Sequence, residues 1–168
     1  MVEMGAGNGQ WSRVLRSPPY SCDVLSFDDM SALPLNPSLY HNRTEPNNKY
    51  FDYKLRKGDE KIFHKKYGSQ FEMLRGRALM VVFPERGTTM RNFLEAWKSM
   101  SSENRYLIYV GEGRGGANSD DSFFDEIEGG GWKLLTVKNV KSFGTKGFEK
   151  LFVLERVTSA LPAANKIS

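Results

Sequence analysis

The stretch VEMGAGNGQW, residues 2–11, places three alternating glycines directly after a short apolar segment. Val2–Met4 predicts the end of a buried strand, and Gln10–Arg16 predicts a short helix with one apolar face. Gly5, Gly7 and Gly9 therefore lie where a strand turns into a helix. Glycine permits a positive φ there, and its missing Cβ lets a ligand approach the backbone closely. The stretch thus predicts a ligand-binding turn near the start of the fold.

Beyond this turn, strand-like and helix-like segments alternate along the chain. The further predicted strands are Cys22–Phe27, Tyr50–Leu55, Ala78–Phe83, Tyr106–Val110, Trp132–Val140 and Leu151–Val157. The further predicted helices are Thr88–Met100, with Phe93 and Trp97 on its core face, and Asp120–Glu128. This alternation predicts an α/β fold, a mostly parallel twisted sheet with helices on both faces. No helical pattern separates the last two strands, so they predict a C-terminal antiparallel hairpin.

Composition and charge limit the classes of protein to which the chain can belong. Its 168 residues, 39% hydrophobic and 26% charged, fit one globular domain. The longest apolar run, Ala78–Phe83, is too short to span a membrane, and no signal segment precedes the glycines. Cys22 is the single cysteine, so we expect no internal disulfide, no metal centre and a cytoplasmic location. The net charge of +4 is too small to argue for nucleic acid as a partner.

Two classes of ligand compete for the glycine turn. Dinucleotide-binding turns follow the pattern G-x-G-x-x-G/A, but here the third glycine comes one position early, at Gly9, and a glutamine follows it. Glu3, two residues before Gly5, is unfavourable beside a pyrophosphate, whereas a cationic ligand would be attracted to it. Asp28 ends the second predicted strand, 23 residues after Gly5, about where an acid accepts hydrogen bonds from a ribose. The adjacent Asp29 is an alternative for that role.

The segment VEMGAGNG resembles the first motif of class I S-adenosylmethionine-dependent methyltransferases, which runs apolar-acid-apolar-G-x-G-x-G. Three further features are similar to this family: the acid that ends VLSFD, the sequence KGDE at residues 57–60, and the closing hairpin. The resemblance implies a Rossmann-like domain that binds S-adenosylmethionine and transfers its methyl group to an unidentified acceptor. It implies a set of cofactor-binding residues: Glu3, Gly5, Ala6, Gly7, Asn8, Gly9, Asp28 for the ribose and Asp59 for the adenine amino group. A charged turn without a ligand is the alternative for Asp59.

The resemblance extends from Val2 to about Val157. It implies one methyltransferase-like domain at residues 1–157. Residues 158–168 show no pattern of apolar residues, so we expect them to form a disordered tail. The segment YVGEGRGGANSDDSFFDEIE also looks like part of a poorly characterised methyltransferase-like group. Only Met1–Met4 precede Gly5, whereas the family has a full first strand and usually a helix before it. We therefore expect a fragment, an alternative start or a protein that has lost part of its pocket, and hence a poor catalyst.

The fourth predicted strand ends in VVFPER, where amine methyltransferases of this family often carry Asn/Asp-Pro-Pro-aromatic. Only Pro84 matches this motif, which gives little support to an amine substrate. Together with the short start, this departure keeps an alternative function open, a non-catalytic methyltransferase-fold protein that serves in interaction or scaffolding. The glycine spacing disfavours a third class, the nicotinamide-dependent oxidoreductases.

The remaining polar candidates have a structural interpretation beside a functional one. The loop GEGRGG at residues 111–116 predicts a mobile cover for the pocket, in which Glu112 and Arg114 contact a substrate or simply lie on the surface. Asp120 predicts a helix N-cap. His41 and His64 are more typical of a loop and a charged surface than of a catalytic base. Methyl transfer from a sulfonium needs positioning rather than a triad or a metal, so we assign no catalytic residue.

Overall fold

The computed structural model describes residues 1–31, 52–140 and 148–157, whose strands form one seven-stranded sheet. The strands are β1 Val2–Met4, β2 Leu25–Asp28, β3 Arg56–Lys57, β4 Leu79–Val82, β5 Tyr106–Gly111, β6 Trp132–Asn139 and β7 Lys150–Arg156. The α-helices are α1 Gln10–Arg16, α2 Ser69–Leu74, α3 Thr89–Met100 and α4 Asp121–Glu128, and a 3-10 helix spans Glu60–Phe63. None of these helices is long and apolar enough to cross a membrane.

The strand order in the sheet is β3-β2-β1-β4-β5-β7-β6. Neighbouring strands from β3 to β5 in this order pair in parallel, and β7 pairs antiparallel with both β5 and β6. These pairings confirm the predicted α/β fold class, the mostly parallel sheet and the closing antiparallel hairpin. The order reverses at β1, because β2 and β3 lie on one side of it and β4 on the other. Ligands of such sheets bind at the carboxyl ends of the strands beside the reversal.

The prediction of a strand at Tyr50–Leu55 is wrong. Its first two residues lie outside the described part of the chain, residues 52–55 contain a turn, and only Arg56–Lys57 pair with β2. The physical reason lies in Asp52, whose backbone N–H donates to the carbonyl of Asn8 at 2.8 Å instead of joining a strand ladder. The sequence also did not predict α2 or the 3-10 helix, because elements so short show no clear apolar period.

One face of the sheet carries the hydrophobic core. Val2 and Met4 of β1 are fully buried there and belong to one apolar cluster with Leu94 and Trp97 of α3. Phe93 belongs to the same cluster, which confirms the predicted core face of this helix. The polar atom of the largest core side chain is satisfied, since Trp97 Nε1 donates to a backbone carbonyl at 2.9 Å. Burying such a ring without a partner for its N–H would be costly.

The strand β6 forms one edge of the sheet and pairs only with β7 among the described strands. Its side chains of Leu134, Leu135 and Val137 are exposed by 52%, 44% and 40%. Lys133 and Lys138 lie on the same strand. Lysines on an exposed edge oppose pairing with another chain, which offsets the hazard of the apolar side chains.

Candidate functional site

A cleft of about 480 Å³ lies at the carboxyl ends of β1, β2 and β4, beside the reversal in strand order. It is lined by Met4, Gly5, Gly7, Asp28, Asp29, Ser31, Asp59, Glu60, Val81, Phe83, Pro84, Glu85, Thr89, Asn92 and Phe93. The cleft therefore brings together residues that follow three different strands, as expected for a ligand site in this type of sheet.

The glycine turn offers bare backbone to this cleft. Gly5 and Gly7 have φ values of +64° and +55°, a region that other residues rarely adopt. A Cβ on Gly7 would meet no atom within 4 Å, whereas a Cβ on Gly5 would lie 3.7 Å from the ring of Phe93. The space beside Gly7 is therefore open, and a ligand can approach its backbone there.

Asp28 is tied directly to the glycine turn. Its Oδ2 accepts a hydrogen bond from the N–H of Gly7 at 2.8 Å, and its Oδ1 accepts one from the N–H of Met30 at 2.8 Å. Burial raises the pKa of Asp28, while these two hydrogen bonds act in the opposite direction. The neighbouring Asp29 lines the same cleft, but its Oδ1 accepts from both the N–H and the hydroxyl of Ser31.

The described charged residues that line the cleft are all acidic. Asp28, Asp29, Asp59, Glu60 and Glu85 contribute carboxylates, and no lysine, arginine or histidine is among the described lining residues. Such a cleft attracts a cationic ligand and repels a phosphate.

Asp59 also has a structural role at the start of the 3-10 helix. Its Oδ1 accepts from the N–H of Lys61 at 3.0 Å, and its Oδ2 lies 3.3 Å from the ammonium group of the same lysine. Desolvation acts to raise the pKa of Asp59, but the contacts with Lys61 hold it below its ordinary value. The charged turn and the ligand contact are therefore compatible interpretations of this residue.

Glu3 lies outside the cleft, beneath the glycine turn. It is 1% exposed, and its Oε2 accepts hydrogen bonds from the backbone N–H of Ser12 at 3.1 Å and from the Ser12 hydroxyl. Burial raises the pKa of Glu3 to about 7, against the opposing effects of the Ser12 hydrogen bonds and of Arg16. Glu3 therefore holds α1 against β1, and its action on a ligand stays a prediction from the sequence.

A second buried polar group, Asp52, braces the turn from the same side. Its carboxylate forms an ion pair with Arg16 of α1 and accepts a hydrogen bond from the hydroxyl of Ser26 at 3.2 Å. A Cβ on Gly9 would lie 2.5 Å from the Cβ of Asp52. Asp52 was not predicted as a structural residue from the sequence, although an acid inside an apolar run, here YFDYKL, indicates a buried partner.

The structure thus divides the predicted cofactor-binding residues into two groups. Gly5, Gly7, Asp28 and Asp59 line the cleft. The other group is not among the described lining residues and forms or supports the turn: Glu3, Ala6, Asn8 and Gly9. The glycine spacing is thus explained by two different demands, open space at Gly7 and close packing against Asp52 at Gly9.

The two charged residues of the GEGRGG loop do not line the cleft. Arg114 forms ion pairs with the carboxylates of Asp125 at 2.8 Å and Glu128 at 2.9 Å, both on α4. Glu112 accepts from the N–H of Ala117 at 2.6 Å. Asp120 accepts from the N–H of Phe123 at 3.2 Å, which confirms it as the N-cap of α4.

The described histidine, His64, does not line the cleft. His64 is exposed beside the 3-10 helix, and His41 and the predicted tail at residues 158–168 lie outside the described residues. Among residues 1–31, 52–140 and 148–157, no three histidine, cysteine or acidic side chains are grouped to hold a metal.

A second cavity, of about 320 Å³, lies between α4 and the β6–β7 hairpin. Its lining includes the apolar side chains of Phe123, Ile127, Trp132 and Phe152. It shares no described lining residue with the cleft. The cleft, where backbone and carboxylate groups converge, is therefore the candidate ligand site.

Comparison with known proteins gives structural matches only. No protein-family model matches the sequence, and no curated protein matches it either. Three solved structures are similar to this chain. The first is a Streptococcus pneumoniae protein described as a tRNA (m1A22) methyltransferase, bound to S-adenosyl-L-methionine, and the second is TrmK of M. capricolum, bound to S-adenosyl-homocysteine. The third is a Pyrococcus horikoshii protein described as an RNA methyltransferase.

The three structures agree with this chain over most of its length. Their TM-scores are 0.52, 0.53 and 0.51, at sequence identities of 11%, 10% and 11%. The matches cover 96%, 92% and 95% of this chain, which spans 68%, 61% and 74% of the three proteins. Identities this low speak for the fold alone. Together with the strand order, these structural matches show that the chain has the fold of the class I S-adenosylmethionine-dependent methyltransferases.

Proposed function

We propose that the cleft binds S-adenosylmethionine and that the protein transfers its methyl group to an acceptor. One observation carries the proposal: a bare glycine turn is hydrogen-bonded to an acid at the end of β2, in a cleft whose described charges are all carboxylates. Structural neighbours bind S-adenosyl-L-methionine or S-adenosyl-homocysteine, which supports the same ligand here.

The residues of the cleft fit the parts of this ligand. Asp28 has lone pairs left to accept hydrogen bonds from the ribose hydroxyls, and Asp59 would accept from the adenine amino group. The open space at Gly7 would let the ligand lie against the backbone. When bound, the cofactor supplies a methyl group on a sulfonium, which is a good leaving group. The chain's own task is then to position donor and acceptor and to exclude water.

Charge argues against a nicotinamide dinucleotide in the same place. A pyrophosphate would bring negative charge into a cleft with carboxylates at Asp28, Asp29 and Glu85 and with no described lining cation. At close range in a partly desolvated site, such like-charge pairs cost several kcal/mol, on the order of 4 at 4 Å for an effective dielectric constant of about 20. S-adenosylmethionine has a net positive charge and meets no such penalty.

Calorimetric titration with S-adenosylmethionine, S-adenosyl-homocysteine and NAD+ tests the proposal. We expect the first two to bind and NAD+ to bind at least about tenfold more weakly, a difference of about 1.4 kcal/mol. Tightest binding of NAD+ would overturn the proposal. Binding of none of the three would favour the alternative, a methyltransferase fold retained for interaction or scaffolding.

A further inference from the structure

Phe83 lies in an unusual backbone conformation beside the cleft. Its φ is +48°, which is rare for a bulky residue, and its side chain is 44% exposed and lines the cleft. The surrounding structure holds it there: the N–H of Phe83 donates to the carbonyl of Val110 at 2.7 Å, and the next residue, Pro84, is buried. The Pro84 carbonyl in turn accepts from Asn118 Nδ2 at 3.1 Å. Strained residues held in this way cluster at functional sites.

A second exposed aromatic ring lies next to Phe83. Trp11, near the start of α1, is 37% exposed, and its ring centroid is 6.5 Å from that of Phe83 at an interplanar angle of 67°. Phe83, directly after β4, lines the cleft, and Trp11 of α1 contacts its ring from outside the described lining. Both retain free surface, so they can pack against a further ring in stacked or edge-to-face geometry. We call Trp11 and Phe83 the aromatic pair.

The charges around the aromatic pair select what can bind there. Phe83 shares the cleft with Glu85, two residues further along the chain, and with Asp28 and Asp29 at the end of β2. Carboxylates repel an anionic ring and attract a cationic one. An aromatic face adds attraction for a cation through its quadrupole.

We infer that the aromatic pair is the acceptor subsite and that the methyl acceptor is a small planar ring compound that is uncharged or cationic. Phe83 is its specificity-determining residue, because it lines the same cleft as the glycine turn. The inference rests on the proposed function, since an acceptor must lie beside the methyl donor. It separates this chain from enzymes whose acceptors are polyanions, such as RNA.

Three probes test the inference on the full chain saturated with S-adenosyl-homocysteine. Benzamidine is a planar cation, benzoate is a planar anion, and cyclohexanecarboxamidine has the cationic group on a ring that is not planar. We expect millimolar binding of benzamidine by calorimetry, at least about tenfold tighter than benzoate and about fivefold tighter than the cyclohexane compound. Equal binding of benzamidine and benzoate, or of the two amidines, would overturn the inference.

Variants of Phe83 assign the binding to the aromatic pair. Phe83→Leu retains an apolar side chain without a ring and should weaken the binding of benzamidine about five- to tenfold. Phe83→Tyr keeps an aromatic ring and should bind benzamidine about as tightly as the wild type. Tyr106→Ala is the matched control, because Tyr106 is 39% exposed at the opposite end of the neighbouring strand β5. Unchanged benzamidine affinity in Phe83→Leu would place the probe elsewhere and refute the subsite.

The two proposals fail in different ways. If S-adenosyl-homocysteine does not bind the wild-type chain, the proposed function and the acceptor subsite are both wrong. If it binds but the probes show no preference for a planar cation, only the acceptor subsite is wrong.

Discussion

The backbone N–H of Gly7 donates a hydrogen bond to Oδ2 of Asp28 at 2.8 Å, which joins the glycine turn to the end of β2. Parallel pairing of Met4 with Phe27 brings the two segments together, and the N–H of Ala6 donates to the carbonyl of Phe27 at 3.0 Å. The acid proposed to hold the ribose and the backbone proposed to approach the ligand are therefore positioned by each other.

Replacing Asp28 should weaken the proposed cofactor binding. Asp28→Asn keeps an acceptor for the N–H of Gly7 but removes the charge that strengthens hydrogen bonds from a ribose. Because charge-assisted hydrogen bonds are about twice as strong as neutral ones, this change should cost about 1 kcal/mol, or about fivefold in the Kd of S-adenosyl-homocysteine measured by calorimetry. Asp29→Asn is the control in the same cleft. A larger effect at Asp29 than at Asp28 would transfer the role to Asp29.

Alanine at Gly7 and at Gly9 should have different consequences. At Gly9 the new Cβ would lie 2.5 Å from the Cβ of Asp52, so Gly9→Ala should lower the free energy of unfolding by about 1–3 kcal/mol through overpacking and strain. At Gly7 the new Cβ would meet no protein atom within 4 Å and would occupy space that we assign to the ligand. Gly7→Ala should therefore weaken S-adenosyl-homocysteine more than it destabilises the fold, as urea unfolding and calorimetry together would show.

If both alanine variants lose stability equally and Gly7→Ala binds the ligand normally, the ligand does not approach the turn at Gly7.

The buried carboxyl group of Glu3 should make stability depend on pH. Its pKa is raised from 4.5 to about 7, mainly by burial, so the folded protein keeps this proton where the unfolded chain releases it. Stability should therefore fall as the pH rises from about 4.5 to about 7, with a full penalty of up to about 3 kcal/mol above that window. Glu3→Gln cannot ionise, so it should gain stability relative to the wild type between pH 5 and pH 8.

Urea unfolding at pH 5 and at pH 8 measures the difference in stability between Glu3→Gln and the wild type. Comparison of the two proteins at each pH cancels the contribution of the other titrating groups. Glu95→Gln on α3, a replacement at a half-exposed side chain, serves as the control and should change stability similarly at both pH values. A pH-independent effect of Glu3→Gln would contradict the assigned role of burial.

The ion pair between Arg16 and Asp52 should be sensitive to loss of one partner. Their side chains are 16% and 2% exposed, so Arg16→Met leaves a buried carboxylate without its charge partner, at a cost of about 3–5 kcal/mol. Arg75→Met removes an arginine whose ion pairs are exposed and should cost no more than about 1 kcal/mol. Similar urea midpoints for the two variants would show that the buried pair does not brace the glycine turn.

The sequence was sufficient to predict those strands and helices in which the pattern of apolar residues follows directly from which side chains are buried. The unbroken apolar run ALMVVF predicts β4, whose first three residues, Leu79, Met80 and Val81, are buried. The helical spacing of Phe93 and Trp97 predicts the core face of α3, and the glycine-containing loop predicts the antiparallel hairpin. Gly5, Gly7 and Asp28 were placed at one edge of the sheet by the same reasoning, and the structure brings them into one cleft.

Tertiary contacts decided the parts that the sequence did not predict. The apolar character of YFDYKL predicted a strand, but Asp52 in its middle pairs with Arg16, which lies 36 residues earlier in the chain. The aromatic pair escaped notice for a similar reason, because Trp11 and Phe83 are far apart in sequence and meet only when β4 lies beside β1. The local pattern of apolar and polar residues does not indicate contacts between residues that are far apart in the sequence.

The position of β7 between β5 and β6 has a consequence for the order in which the chain can fold during synthesis. The strand β6, at Trp132–Asn139, emerges from the ribosome before β7, at Lys150–Arg156, yet β7 is its only described partner in the sheet. Until Leu154 is available to pair with Leu107, the edge of β5 stays open and the apolar side chains of β6 have no strand to join. In a nascent chain halted before Lys150, β7 would be missing and β6 could not take its place in the sheet. Unpaired backbone of β5 and apolar side chains of β6 would then be exposed to chaperones or to other nascent chains.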